Sequence, residues 1–248
     1  MDRSRTYAWT VVASSGVVFT WQMLTSGGDS PALTTWLFWI ALLAAIDLLP
    51  VSLGYGTEVT MAFPVDLALA ILFRNQPWVA MSIRWIAAFD LREIRREIPL
   101  HRSLFNRCEQ MLAVGASALP FALFAQGGTP YRIDLIVASA LLHLLVNLGL
   151  VALALRFERG MKLSEFLGAF IPKPITGFAV SYILLAGLGT ATALAHDEIG
   201  KWAVAAMIIP LLFARLSILG AQAQAKLSEK VRQQQEALLE ATEKVFQE

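Results

Sequence analysis

Apolar residues fall in long blocks along this chain, separated by short polar stretches. Residues 7–24, 32–53, 103–124, 133–155, 175–195 and 202–219 are each predominantly apolar, over about the 18–25 residues a helix needs to cross a bilayer. Between the second and third blocks lies the stretch from Glu58 to Gln110, around which the rest is organised. Its two apolar segments, 60–73 and 78–89, are short and are joined by the turn Arg74-Asn75-Gln76-Pro77. At 1.5 Å per residue, fourteen residues cover only about 21 Å. These segments must recruit flanking polar residues, thin the bilayer, or form a re-entrant pair surrounded by protein. The pattern predicts an all-α fold: a polytopic transmembrane bundle of about eight segments, two of them short.

The connections add detail. Residues 25–31 read as a small polar loop, 53–59 as a glycine-containing loop, and 196–201 as a short polar loop. Trp36 and Trp39 read as interface anchors near the outer end of the second segment, whose inner half is interrupted by Asp47 and Pro50. Residues 156–174 read as an amphipathic connector along the membrane surface, with Leu163, Phe166, Leu167 and Phe170 on one face and Arg159, Lys162 and Glu165 elsewhere. Gly177, Gly187 and Gly189 allow close helix packing in the seventh segment.

Beyond Gly220 the pattern changes. Residues 220–248 are rich in Ala, Gln, Glu and Lys, all good helix formers. Leu227, Val231, Gln234, Leu238, Ala241 and Val245 are spaced four and three apart, an a/d seam weakened by Gln234 and Ala241. The alternative is a solvated amphipathic helix that packs on its own protein. Only Gly220 breaks helical pattern between Phe213 and Val245, so it is the expected flexible point. Two parts are expected: a transmembrane sensor domain at 1–219, and a cytoplasmic coiled-coil linker at 220–248 leading to an output domain outside this chain.

Composition supports the membrane reading. Of 248 residues, 56% are hydrophobic and 16% charged, against about 25% charged in soluble domains; mean hydropathy is +0.58. The net charge of +1 matters less than its placement. With eight segments and the N-terminus inside, the outer loops hold Arg74, Arg132 and Lys201. The inner side holds Arg3, Arg5, Arg92, Arg95, Arg96, Arg102, Arg107, Arg156, Arg159, Lys162, Lys173 and the basic residues of the tail. This asymmetry places both termini in the cytoplasm of a multi-pass inner (plasma) membrane protein. Removing the two short crossings preserves that orientation. The first apolar block exceeds the ~7–15 residue core of a signal peptide, and no A-x-A site follows it. The basic run, His101 included, is interleaved with Glu93, Glu97 and Glu109, which fits a loop facing anionic lipid rather than nucleic acid. Cys108 has no partner for an internal disulfide and reads as a buried, inert thiol near the cytoplasmic face.

Candidate chemistry is confined to polar residues inside the apolar blocks. Asp66 and Arg84 sit near the middles of the two short segments. A charge there is costly and normally finds a partner in the protein interior, and the hairpin puts the two at nearly the same depth, so they are expected to be in contact. His143 and Asn147, four apart, share a helix face. Asp47 and Gln110 fall in the inner half of the bundle. Asp47, Asp66, Arg84, Gln110, His143 and Asn147 therefore form a candidate ligand pocket; interhelical hydrogen-bond glue is the alternative. His143 has no second His or Cys placed to complete a metal set. The His196-Asp197 dipeptide lies in a short outer loop with no other ligands nearby. No P-loop, G-x-G-x-x-G or G-x-S-x-G is present, and serines such as Ser14 and Ser15 have no placed base. The chain carries no catalytic motif and implies no particular cofactor.

Three motifs carry a resemblance: F-P-V-x-L-A-x-A-x-L-F at 63–73, L-R-E-x-R-R at 91–96, and P-L-x-R-x-L-F-N-R-x-x-Q at 99–110. In this order the region 47–124, with the tail, resembles the N-terminal multi-helix sensor region of bacterial cyclic-di-GMP signalling proteins, especially HD-GYP-type phosphodiesterases and some GGDEF cyclases. Asp66 stands where an apolar residue is expected in the first motif. The resemblance implies a sensor, with any phosphodiesterase or cyclase activity in a downstream domain; the seam of Leu227, Val231, Leu238 and Val245 is read separately as a parallel homodimer that carries the output. The expected partners are the lipid bilayer, a second copy of the chain and a small-molecule or lipid-like ligand. The competing reading is a small-solute carrier or the substrate-binding component of an importer, since broken helices around a midplane polar site serve there too.

Overall fold

The computed structural model describes residues 3–27, 30–48, 51–52, 58–59, 62–88, 97–125, 129–170 and 175–206, and then 209, 220, 224, 227–228 and 231–235. In order these form α1 (Arg3–Thr25), α2 (Leu33–Asp47), β1 (Val51–Ser52), β2 (Glu58–Val59), α3 (Phe63–Leu72), α4 (Pro77–Ala87), α5 (Leu100–Phe124), α6 (Ile133–Arg159), α7 (Leu163–Phe170) and α8 (Ile175–Glu198); residues 201–206 are helical again. The chain is all-α apart from one two-residue antiparallel ladder, in which Val51 faces Val59 and Ser52 faces Glu58. It divides into two compact units, Met1–Ala205 and Ala206–Glu248, so the second begins inside the block expected at 202–219. In that second unit the described residues are helical, and Leu227 and Val231 are exposed. Leu238 and Val245 lie outside the described residues, as does the run from Arg92 to Arg96.

Among the described residues, α6 is the helix both long and apolar enough to cross a membrane by length and composition. The 22-residue second span expected at 32–53 is instead a 15-residue helix ending at Asp47. Pro50 accounts for this, since it lacks an amide proton and disfavours helix at the residue before it. The loop expected at 53–59 is flanked by the β1–β2 clasp. The two short segments are shorter still: α3 has 10 residues and α4 has 11. Pro64 and Pro77 stand in the first turns of these helices, where a missing N–H breaks no helical bond and the fixed φ is already helical.

The α3–α4 hairpin forms the core. Every residue of α3 from Phe63 to Ile71 is buried, the mark of a helix surrounded by protein on all sides. It packs chiefly against α8 and then α5, while α4 packs against α5 and α2. Gly189 explains the closeness of α8: a Cβ there would lie 2.5 Å from the Pro64 carbonyl oxygen and 3.1 Å from Leu67 Cβ. Gly187 faces open space instead. Around this core, α5 and α6 run together and α1 leans on both. Tyr7 of α1 lies 5.8 Å from the Phe105 ring and 5.1 Å from the Phe157 ring, and its hydroxyl donates to the Leu150 carbonyl. α6 closes at Gly160, whose φ of 68° is the left-handed conformation of a helix C-cap.

The buried set is mostly apolar but includes ionisable residues, and apolar side chains also line the outside. Asp47, Asp66, Arg84, Glu109 and His143 are buried, while Ile133, Val137, Leu141 and Leu145, at four-residue spacing along α6, are at least half exposed. α1 exposes Val17, Trp21 and Leu24, and α8 exposes Val180, Ile183 and Leu184. Two expectations are corrected. Trp39 is fully buried and so is no interface anchor; its ring packs 5.5 Å from that of His196. His196 and Asp197 belong to the last turn of α8 rather than to a loop, because the chain does not leave the helix until Gly200, whose φ is 99°. On α7 Phe166 is buried, whereas Leu167 of the same expected apolar face is exposed.

The two ends of the bundle differ. At one, the starts of α1 and α5 and the end of α6 enclose a crevice of about 230 Å³ lined by residues including Tyr7, His101, Arg102, Asn106 and Glu158. Arg102 pairs with Glu158 at 2.8 Å, and Arg107 lies over the Trp85 ring. At the other end Tyr131 donates to Asp197 at 2.6 Å. Burial, then the hydrogen bond to Asp197, pushes the Tyr131 phenol well above its usual range, with Arg74 close enough to oppose the shift. Cys108 is buried in a cluster with Ala8, Val11 and Phe105.

The two glycines of α8 yield a contrast. Gly189→Val should lower the midpoint of thermal unfolding, by overpacking worth about 1–3 kcal/mol. Gly187→Ala should raise it slightly, since alanine is about 1 kcal/mol better than glycine in a helix and meets nothing there. Equal effects of the two changes would show that α8 does not approach α3 closely.

Candidate functional site

Three helix ends converge on one guanidinium. Asp47 is the last residue of α2, Asp66 lies in the first turn of α3, and Arg84 in the last turn of α4. A helix N-terminus favours an anion and a C-terminus favours a cation. Asp66 and Arg84 are therefore well placed on their own helices, whereas Asp47 opposes the dipole of α2 and depends on Arg84. Arg84 meets Asp47 with two nitrogens, Nη1 at 2.5 Å from Oδ2 and Nη2 at 3.3 Å from Oδ1. This is the forked geometry at which arginine excels. Its Nε lies 3.2 Å from Asp66 Oδ1, too poorly aligned for a hydrogen bond, so neither atom has a hydrogen-bond partner. The other Asp66 oxygen, Oδ2, is 3.4 Å from His143 Nε2.

Aromatic rings wall the cluster. Phe63 lies 4.9 Å from the His143 ring and stacks on Tyr182 at 4.3 Å, with an interplanar angle of 15°. Tyr182 in turn donates its hydroxyl to the Ala140 carbonyl, tying α8 to α6 one turn from His143. Arg84 is 1% exposed, so the cluster is shut off from solvent.

Of the six residues singled out from the sequence, the structure brings four together: Asp47, Asp66, Arg84 and His143. The expected Asp66–Arg84 contact is present, but it is one arm of a larger network, and it lies at helix ends rather than at mid-segment because α3 starts at Phe63. Gln110 and Asn147 take no part in these contacts. Both are half-buried, and the Gln110 Oε1 is buried without a partner.

One residue was missed. Glu109 is 4% exposed, and its carboxylate lies within electrostatic reach of Arg84, Asp66 and Asp47. Its place beside Arg107 had assigned it to the solvated run. The helical spacing pointed inward: Phe105 and Ala113, one turn before and one turn after, are both buried.

A buried ion network of this kind costs several kcal/mol per ion in desolvation, and removing one partner strands the other. Among the described residues no group of three or more His, Cys, Asp or Glu is placed to hold a metal ion. Ser139, one turn before His143, is buried with its Oγ unpartnered, so it forms no Ser-His-Asp relay with His143 and Asp66. What the arrangement can do is hold charge in a closed interior and tie three helix ends to it. No family model, curated protein or solved structure matches the chain.

Arg84→Met, which removes the cation paired with two buried carboxylates, should destabilise the purified protein by about 3–5 kcal/mol, read from thermal unfolding in detergent. Asp66→Asn should cost less than Asp47→Asn, because the forked hydrogen bonds to Asp47 survive it. Combining Asp66→Asn with Arg84→Met should recover only part of the loss, since Asp47 has still lost its forked contact to Arg84. Full recovery in that double variant would mean that Asp47 does not lean on Arg84.

Proposed function

We propose that the chain is a membrane-embedded sensory domain that relays a signal through its last helix and a dimeric coiled coil to a cytoplasmic output domain. The observation that carries this reading is the Asp47–Arg84–Asp66–His143 network sealed at a junction of helix ends, inside a bundle whose outer face is apolar. Charges buried inside a membrane bundle mark functional sites by default, because lipid offers them no other role. Apolar stripes such as Ile133, Val137, Leu141 and Leu145 suit a lipid-facing surface. The domain sits in the plasma (inner) membrane, with α3 and α4 as a re-entrant pair enclosed by α2, α5 and α8. The end that gathers Arg3, Arg5, Arg102, Arg107, Arg156 and Arg159 faces the cytoplasm.

The motifs at 63–73, 91–96 and 99–110 point the output toward cyclic-di-GMP signalling. In this scheme Leu227, Val231, Leu238 and Val245 supply the apolar seam of a parallel homodimer. Gln234 and Ala241 keep it weak enough to be shifted by a ligand that favours one state.

A second reading is favoured by one observation. Short helices whose ends meet at a buried polar centre are the hallmark of carriers, and α2, α3 and α4 do this. In that case the network would take part in solute binding and the tail would have no role in output.

Two experiments decide. A reporter active only in the periplasm, fused after Glu248, should stay silent; activity there would overturn the orientation. In membranes, with Cys108→Ser as background, the single changes Val231→Cys, Leu238→Cys and Val245→Cys should crosslink between chains several-fold better than Glu229→Cys, Glu236→Cys and Glu243→Cys. Equal yields at all six positions would leave no defined seam and put the carrier reading ahead.

A further inference from the structure

The charges in the interior do not balance. Among the described residues, Arg84 is the one buried guanidinium and Asp47, Asp66 and Glu109 are three buried carboxylates. Two of these are committed to Arg84 by contact. The third is not: Glu109 is more than nine-tenths buried, and its Oε1 has no hydrogen-bond partner. A carboxylate in that position lacks both water and an ion-pair partner of its own, and an uncompensated buried charge is relieved by taking up a proton.

The titratable and charged groups around it can be named helix by helix. α1 contributes Tyr7, which feels Glu109. α2 contributes Asp47, α3 Asp66 and α4 Arg84, all within electrostatic reach. Cys108 adjoins it on α5 itself. Behind Asp66 stand His143 of α6 at 3.4 Å and Tyr182 of α8, which feels Asp66. The nearest cation, Arg84, is already spent on two aspartates. Over Asp47, Asp66, Glu109 and Arg84 alone, three carboxylates face one guanidinium, and a proton on Glu109 relieves part of that excess.

We propose that this interior is a proton-binding site in which Glu109 is the carrier of the proton, beside the fixed Asp47–Arg84–Asp66 triad. The ligand of the sensor is then the hydrogen ion. Release of the proton leaves a bare carboxylate on α5 within electrostatic reach of Asp47 and Asp66, and the like charges push α5 away from the ends of α2 and α3. Return of the proton lets them close again. Glu109 takes the proton from water and gives it back to water, so no other reactant is needed. The inference rests on the membrane-sensor reading for its setting and deepens it by naming the signal.

The test is infrared spectroscopy of the purified full chain in lipid vesicles, with and without carboxyl-¹³C glutamate. Near neutral pH, exposed glutamates are ionised, since their ordinary pKa is about 4.3. A carbonyl stretch of a protonated carboxylic acid should nevertheless be present, should shift down with the glutamate label, and should fade as pH is raised. Glu109→Gln should abolish it. Absence of the band, or a band that ignores the label or persists in Glu109→Gln, would overturn the assignment; a band that ignores the label would place the proton on an aspartate, and a labelled band that persists in Glu109→Gln would place it on another glutamate. Should Glu109→Gln fail to fold, labelled Glu109→Asp makes the same test: its band should no longer shift with the glutamate label, and a band that still shifts would overturn the assignment. A missing band leaves the membrane topology untouched, and a failed topology leaves the band untouched, so the two readings fall separately.

Discussion

A guanidinium with no path to water must be met by carboxylates, and the rest of this structure is arranged around that demand. Arg84 cannot lose its proton at any ordinary pH, so its burial obliges the fold to bring Asp47 and Asp66 to it. The forked contact to Asp47 holds the end of α2, and the single contact to Asp66 holds the start of α3. His143 then ties Asp66 to α6. Four helices are thus constrained by one side chain. The β1–β2 clasp lies in the connection between the two aspartate-bearing helix termini, the end of α2 and the start of α3.

Proline sets where these termini fall. Pro50 stops α2 soon after Asp47, while Pro64 and Pro77 open α3 and α4. The result is a set of helices too short to bury their own ends anywhere but in the middle of the bundle. Each end leaves backbone groups without intrahelical partners, and the charged side chains gather where those groups are. The close approach of α8 to α3 at Gly189 completes the enclosure, because no side chain stands between the two backbones there.

Much of this was legible in the sequence, and what was not has physical causes. Asp47, Asp66, Arg84 and His143 stood out because each is an ionisable residue in an apolar block, and the hairpin turn predicted that Asp66 and Arg84 would meet. The third arm escaped notice because Asp47 and Arg84 are far apart along the chain and only the early stop of α2 brings them together. Glu109 was hidden by its basic neighbours: a charge run hides the one member that turns inward, unless the spacing of the apolar residues on either side is followed. Trp39 misled because a tryptophan near a helix end suits an interface as well as a core. His196 misled because a polar dipeptide does not end a helix; the glycine four residues on does.

The buried hairpin also bears on how such a protein is made. In the proposed membrane setting, α3 and α4 each carry a charge that costs about 3 kcal/mol at mid-bilayer, on segments too short to span it. Neither helix can enter lipid ahead of the helices that enclose it. Yet α5 and α8, its main supports, lie later in the chain, and α8 begins only at Ile175. The hairpin must therefore be sheltered during synthesis, at the insertion machinery or at the membrane surface, until the later helices arrive. Assembly of this domain cannot proceed strictly from the N-terminus, and the centre of the molecule is among the last parts to reach its place.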